Sequence, residues 1–381
     1  MNVLHITDSN VFWGTEHAIL SQAMALREAG VTAHIMAPLN SPLSRKLNDT
    51  DGCLLVPASA FKGAKIVMEL ANLLCNGRYQ ILHAHNGRTA FQAALAVCLA
   101  GKGRFAYTQH FLKPRHLQYT ASKPIRRYVH RWVNRQASLI VAVSEAVRRS
   151  ILARQDAPEN RIVTIYPFLR NQPERQPPGA HNHSINTASN CEAVILVLSR
   201  LEKDRGVDLF IRAFSYLQIP AEAMIVGDGS ERDSLKLLVR DLNLERRVRF
   251  AGYQSDPSRW LANADIVVSP CKSEAFGLAI LEAMTAGKPV IAVDAGSAPE
   301  LILDGVSGRL VPPNDHRAMA AVLDQLISSP SERCRLGANA SKIASERFSA
   351  QEMVLRLKRA YELINTGSVL FQQTFVGKLI L

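Results

Sequence analysis

The sequence contains no run of the eighteen or so uninterrupted apolar residues that a membrane-spanning helix needs, which excludes a polytopic membrane protein. It contains no C-x-x-C pair. Its cysteines, Cys53, Cys75, Cys98, Cys191, Cys271 and Cys334, are scattered and mostly lie in apolar stretches. They read as reduced core residues, not as a disulfide framework or a zinc site. The opening residues, MNVLHITDSN, lack a basic stretch and place Asp8 where a leader would be apolar, so no secretion signal is expected. Internal repeats are absent. So is a nicotinamide-type G-x-G-x-x-G, because Arg232 stands at the last position of the pattern begun by Gly227 and Gly229. There is no G-x-x-x-x-G-K-[ST] loop and no G-x-S-x-G elbow. What is present is ordinary for a globular chain: 381 residues, 47% hydrophobic and 20% charged, with length for two or three cores.

Carboxylates are scarce in one half only. Residues 1–170 hold 21 Lys and Arg against 9 Asp and Glu, whereas residues 171–381 hold 24 of each, so the whole excess of +12 lies in the first half. Its densest part, Lys113 to Arg135, has seven basic residues and no acid. Such a half suits a polyanionic partner: an anionic membrane surface, a phosphorylated acceptor or nucleic acid. No recognised nucleic-acid motif accompanies the charge, so nucleic acid is not the expected partner. Within Pro124–Gln136, Ile125, Tyr128, Val129, Trp132 and Val133 fall at helical spacing, opposite Arg126, Arg127, His130, Arg131 and Arg135. This resembles an interfacial helix with a basic face, although most such helices simply pack on their own sheet.

Short apolar runs recur, each followed by a helical pattern. They are Val3–Thr7, Thr32–Ala37, Gln80–His85, Arg104–His110, Leu139–Ser144 and Ile162–Tyr166, then Ala193–Ser199, Ala223–Gly227, Val248–Ala251, Asp265–Pro270 and Pro289–Asp294. Runs rich in Val and Ile without alternation read as strands buried on both faces, and strand–helix alternation implies doubly wound parallel sheets. Between the two series lies the polar, proline-bearing stretch Asn171–Asn190. The expectation is an α/β protein with a first Rossmann-like domain over 1–170, a linker over 171–190 and a second such domain over 191–349. A helix and tail over 350–381 would cross back to the first domain. The two sheets would face a central cleft.

The most informative stretch is SPCKSEAFGLAILEAMTAGKPV, Ser269–Val290. A strand ends near Pro270, a loop carries Glu274, Phe276 and Gly277, and a helix begins near Leu278 and stops at Gly287. Gly277 keeps side-chain bulk from the helix start, where free N–H groups and the dipole favour an anion such as a diphosphate. Glu282, one turn on, would repel a phosphate but suits sugar hydroxyls. Glu pairs at this spacing are common on exposed helices, so the pattern counts through its context. Arg200 and Arg205 follow the strand Val194–Ser199; two cations at the carboxyl end of a parallel sheet can clamp a diphosphate, although a lone strand-end arginine is often only a surface residue. Gly14 follows the first strand, ahead of a helix expected from about His17, and leaves room for a ligand at the backbone. His83 and His85 form an H-x-H pair with no third ligand at metal spacing, and read as structural residues at a strand end. His110 ends a strand.

The string SEAFGLAILEAMTAGKPV resembles the donor-site signature of the retaining glycosyltransferases of family 4, which have the two-domain GT-B fold. The resemblance extends over nearly the whole chain. It includes LSRLEKDRGVDLFIRAF, IVGDGSERDSL, RVRFAGY, ADIVVSPC and GSAPELILDGVSGRLVPP in the second half. In the first half it includes FWGTEHAILSQAMAL, ILHAHNGRT, YTQH and AVSEAVRRSI. Two positions depart from the family pattern: Trp13 replaces the first glycine of a Gly-Gly pair, and Arg205 stands where Lys is usual. An Arg for Lys exchange keeps charge but changes shape and donor geometry.

The resemblance implies transfer of a sugar from a nucleotide-diphosphate sugar, with retention, to a hydroxyl of a glycan or lipid-linked acceptor. It implies that Arg200, Arg205 and the helix start at Gly277–Leu278 stabilise the leaving diphosphate. Glu282 would bind the ribose, Glu274 and the Phe276–Leu278 backbone would hold the sugar, and His110 would contact it from the first domain. Gly14, Gly227 and Gly229 would complete the donor site. No metal and no further cofactor is expected. With the basic first half, this points to a cytoplasmic protein acting at the inner membrane surface, in polysaccharide or lipopolysaccharide synthesis. Other readings keep the fold: an epimerase, which needs no acceptor; a phosphorylase, which needs a pyridoxal-binding lysine; or a non-catalytic sugar-nucleotide binder.

Overall fold

The computed structural model describes residues 1–47, 53–56, 61, 63–112, 124–170 and 193–367. Three stretches singled out above lie outside the described residues: Lys113–Lys123 of the basic run, the linker Asn171–Asn190, and the tail beyond Gly367. The chain forms two compact units, Met1–Arg170 with Ala350–Leu381, and Asn171–Ser349.

In the first unit seven strands form one sheet, all parallel: β1 Asn2–Ile6, β2 Thr32–Pro38, β3 Cys53–Val56, β4 Ile81–Ala84, β5 Arg104–Gln109, β6 Leu139–Ala142 and β7 Ile162–Thr164. Their spatial order is β3-β2-β1-β4-β5-β6-β7. In the second unit six strands do the same: β8 Val194–Leu198, β9 Glu222–Val226, β10 Val248–Gly252, β11 Ile266–Ser269, β12 Val290–Val293 and β13 Arg309–Val311, in the order β10-β9-β8-β11-β12-β13. This is the doubly wound parallel architecture expected from the unalternated apolar runs. Two strands were not expected, β3 and β13. Both lie at sheet edges and have four and three residues; β7, an edge strand of three residues, was legible because its apolar run continues to Tyr166.

Each sheet reverses direction of growth once, between β1 and β4 in the first unit and between β8 and β11 in the second. At such a point the loops leaving two adjacent strands diverge to opposite faces and open a crevice at the strands' carboxyl ends. The crevice of the second unit is bounded by the loop after β8, which carries Arg200 and Arg205, and the loop after β11, which carries Glu274 to Gly277. The crevice of the first unit lies among the loops after β1 and β4, with His85 at the end of β4.

The cores are built as the composition requires. In the second unit Ile195, Val197, Phe210, Phe214, Ile225 and Ile291 are fully enclosed between the sheet and its helices. In the first unit Val3, Ile19, Leu26 and Ile35 join Met353, Leu357, Tyr361 and Ile364 of the helix Ala350–Thr366. That helix is stitched to the first sheet by polar contacts as well. Arg104 Nε donates to the Ile364 carbonyl (2.7 Å), and the Tyr361 hydroxyl meets His83 Nδ1 (2.5 Å).

One expectation needs correction. Cys75, Cys98 and Cys334 are free and exposed, whereas Cys271 is free and buried. The first three lie on helices, where an apolar stretch includes outward positions that a linear reading does not separate. The helix Pro124–Gln136 forms as expected, and its apolar stripe is only partly covered. Val133 is buried and Trp132 packs edge-on to Phe91 (5.9 Å), whereas Tyr128 and Val129 are 73% and 39% exposed. Among the described residues, no helix is long and apolar enough to cross a membrane.

Candidate active site

In the second unit β8 ends at Leu198, and the chain passes Arg200 before a single 3-10 turn, Lys203–Arg205. Gly206 follows with φ +68°, and a Cβ there would lie 2.2 Å from the Pro270 carbonyl oxygen, so the loop can rest on the end of β11 only with glycine at this position. That contact sets Arg205 over the neighbouring loop. Its Nη1 reaches both Glu274 oxygens (3.3 and 3.4 Å) and Cys271 Sγ (3.6 Å). Burial works against the Arg205 charge, but Glu274, Cys271 and Asp204 outweigh it and raise its pKa. Arg200 shifts the other way, lowered by burial and then by the neighbouring Arg205 charge. Two guanidiniums therefore stand within electrostatic reach, and two carboxylates, Glu274 and Asp204, compensate the second of them.

Glu274 is itself fixed from behind. Its carbonyl accepts the Ser297 N–H (3.0 Å), and a Cβ on Gly296 would lie 2.3 Å from that oxygen. Phe276 turns inward, 4% exposed and edge-on to Phe348, so only its backbone faces the loop. Gly277 takes φ +89° at the N-cap of the helix Leu278–Thr285, and no side chain caps that helix. Its first N–H groups are thus left for a ligand, at the positive end of the dipole. The helix ends at Ala286 and Gly287 (φ +70°), as the sequence predicts. Glu282 is half-buried on it. Burial pushes its carboxyl up to about 7, and the nearby Asp256 charge adds to the shift.

Gly227 and Gly229, expected at the donor, have a packing role that spacing alone did not reveal. Cβ atoms at these positions would lie 1.8 Å from the Ser199 oxygen and 2.4 Å from the Leu201 oxygen. Leu201 N–H donates to the Asp228 carbonyl (2.9 Å) and Glu231 N–H to that of Leu201 (2.8 Å). The glycine turn after β9 is therefore laced to the loop that carries Arg200. Gly227→Ala is expected to destabilise the protein by more than about 4 kcal/mol, since backbone must move and φ is +144°. Gly305→Ala, at φ +71° in open space, should cost only about 1–2 kcal/mol. Thermal melts of the pair measure the difference; equal shifts would refute the packing role.

In the first unit the helix after β1 starts at Gly14, three residues before the expected point, with Trp13 as its extended N-cap. Glu16 Oε2 accepts the Trp13 N–H (2.9 Å), which closes the loop from the side that the missing glycine leaves. Trp13 is 37% exposed. Nearby, Asp8 accepts from Asn86 Nδ2 (2.7 Å) and Arg88 Nη1 (2.6 Å).

The histidines form a connected group. The register places His5 of β1 beside His83 of β4. His83 Nε2 meets Thr108 Oγ1 (2.6 Å), and its Nδ1 meets Tyr361. His5 Nδ1 meets His85 Nε2 (2.9 Å), and His85 Nδ1 meets His110 Nε2 (3.1 Å). Burial holds His5 near 3, His110 near 4, and His83 and His85 well below the usual histidine range, so all four rings are neutral at pH 7. His5, His83 and His85 lie close enough to hold a metal ion, and His5 is the third residue that the H-x-H spacing lacked. However, both ring nitrogens of His83 and of His85 already serve hydrogen bonds, so the set fits a hydrogen-bonded stack better than a metal centre. His5, Thr108 and Tyr361 were invisible to motif reading; only the β1–β4 register brings the first of them in.

Two family models match the chain: Glycosyltransferase Family 4 over residues 13–170 and Glycosyl transferases group 1 over residues 181–343. Among curated proteins, the chain is 28% identical over 206 residues to N-acetyl-alpha-D-glucosaminyl L-malate synthase of Bacillus anthracis, covering 54% of each chain. It is 31% identical over 159 residues to the lipopolysaccharide core biosynthesis glycosyltransferase LpsE of Rhizobium meliloti, covering 42% of this chain and 46% of that one. The match thus spans about half the length of these two relatives. Among solved structures, Anabaena HepE in complex with UDP-glucose superposes with a TM-score of 0.82 at 23% identity, over 95% of this chain and 99% of that one.

Proposed function

Since the chain belongs to the family 4, group 1 glycosyltransferases, we propose that it transfers a sugar, with retention, from a nucleotide-diphosphate sugar to a hydroxyl of a glycan or lipid-linked acceptor. The observation that carries this reading is the convergence of Arg200, Arg205 and the uncapped helix start at Gly277–Leu278 on one crevice of the second sheet. Negative charge grows on the diphosphate as the glycosidic bond breaks, and fixed cations and aligned N–H groups stabilise that charge more than they stabilise the bound donor. Such a site needs no metal ion to do this. The acceptor hydroxyl forms the new bond to the anomeric carbon on the face the diphosphate leaves, and a departing phosphate oxygen takes its proton. Glu282 holds the ribose hydroxyls, Glu274 orients the sugar, and His110 donates to one of its oxygens.

HepE was solved with UDP-glucose, and the LpsE relative builds lipopolysaccharide core, which makes a UDP-sugar and a cell-surface acceptor the first substrates to try. The excess basic charge of residues 1–170 suits a phosphorylated or lipid-linked acceptor at an anionic, inner membrane surface. The test is a donor screen with UDP-, GDP-, ADP- and dTDP-sugars in the presence of a chelator, following nucleoside diphosphate release. Slow release from one donor is expected. Absence of both release and calorimetric binding for every donor would overturn the reading.

A further inference from the structure

His110 has one ring nitrogen tied into the protein and one that meets no described residue. Its Nε2 is held by His85 Nδ1, His85 Nε2 is held by His5 Nδ1, and the chain of rings stops at His5 Nε2, which is buried without a partner. A neutral imidazole has one N–H and one bare nitrogen, so in each of these links one ring donates and the other accepts. The three tautomers are therefore not independent. If His5 carries its proton on Nδ1, His85 must carry its own on Nδ1, and so must His110. If His110 carries its proton on Nε2, the order reverses throughout and a buried N–H is stranded at His5.

The blind end decides between the two. An orphaned, buried N–H is the rarer arrangement in folded proteins, and a lone acceptor is tolerated more often. We propose that His5 and His85 are positioning residues: their one-way hydrogen-bond chain holds His110 in the Nδ1–H tautomer, so that it offers a neutral N–H donor at its outer nitrogen. His83 supports the chain without joining it. It stacks on His85 (4.6 Å between centroids, 22° between planes) and is anchored at both nitrogens by Thr108 and Tyr361, so the His85 ring cannot tilt out of line. The low pKa values agree, because a proton added to any of the three rings would break the one-way order.

That this N–H serves an oxygen of the donor sugar rests on the function proposed above; the tautomer itself does not. The test is a long-range ¹H–¹⁵N spectrum of the full chain with ¹⁵N-histidine at pH 7.5, with His110 assigned by the loss of its signals in His110→Gln. Protonated Nδ1 and bare Nε2 on His110 are expected. Protonated Nε2 overturns the proposal, and this spectrum decides it even if His85→Phe does not fold. In His85→Phe the expected result is a shift of His110 to the Nε2–H form, with kcat lowered about tenfold and donor KM changed less than threefold. A His110 that keeps its Nδ1 proton in His85→Phe would overturn the positioning role. Failure to turn over any donor would refute the proposed activity and leave the tautomer measurement standing.

Discussion

Arg200→Ala is expected to lower the rate at saturating donor by about 10²–10³, the loss typical when one fixed donor to a developing negative charge is removed. Arg205→Ala should lose as much and cost stability too, because Glu274 would be left half-enclosed without its cation. The two substitutions should not add, since on the proposed function both arginines act on one leaving group, and Arg205 alters the field felt by Arg200. The informative variant is Arg205→Lys. Among the described residues a single nitrogen, Nη1, makes the side-chain hydrogen bonds of Arg205, to both Glu274 oxygens and to Cys271, while its buried Nε has no hydrogen-bond partner and reaches Asp204 only as an ion pair at 3.9 Å. An ammonium can replace one nitrogen, and it removes the orphan. Arg205→Lys should therefore retain activity within about tenfold, well inside the range lost on removal of the charge. Initial rates of nucleoside diphosphate release measure all three. If Arg205→Lys falls as far as Arg205→Ala, the planar fork itself is required. If Arg200→Ala turns over normally, the diphosphate does not bind where the second sheet reverses.

Much of this was legible in the sequence because burial on both faces leaves a mark on composition. Central strands such as Val194–Leu198 and Ile266–Ser269 are continuous apolar runs, and the turn glycines and helix starts between them follow from local chemistry. The residues of the proposed donor site were open to motif reading because Arg200, Glu274, Gly277 and Glu282 lie within short loops and one helix, where spacing fixes neighbourhood. What was not legible depends on contacts between segments far apart in the chain. His5 acquires meaning only when β1 pairs with β4, and Tyr361 only when the last helix packs on the first sheet. The reason for Gly227 is an oxygen on residue 199, which no pattern within the turn encodes. The outward cysteines show that an apolar neighbourhood in sequence does not specify a helix face.

Glu282 supplies the second large effect, through pH. Its carboxyl is raised from 4.5 to about 7, first by burial and then by Asp256, whose own pKa is lowered by its bonds to Ser258, so that it remains an anion. Between these two values the folded chain holds a proton at Glu282 that the unfolded chain has released. The unfolded state then binds fewer protons, so stability falls as pH rises through this window and levels off above it. The full shift corresponds to about 3 kcal/mol, and because the side chain is only half-buried the expected loss is about 1–3 kcal/mol. Glu282→Gln should abolish the slope: wild type and variant melt together near pH 4, and the variant melts several degrees higher at pH 8. Donor binding should run in the opposite direction. A carboxylate accepts from two ribose hydroxyls, whereas the protonated acid loses much of that capacity, so affinity should tighten between about pH 6 and 8 in the wild type only. Calorimetric titration of the donor's nucleoside diphosphate at several pH values, beside the melts, separates two roles for this residue. A carboxyl present only for packing would show the stability slope without the affinity slope. One that binds the ribose destabilises the empty protein in the same pH range in which it comes to hold the ligand.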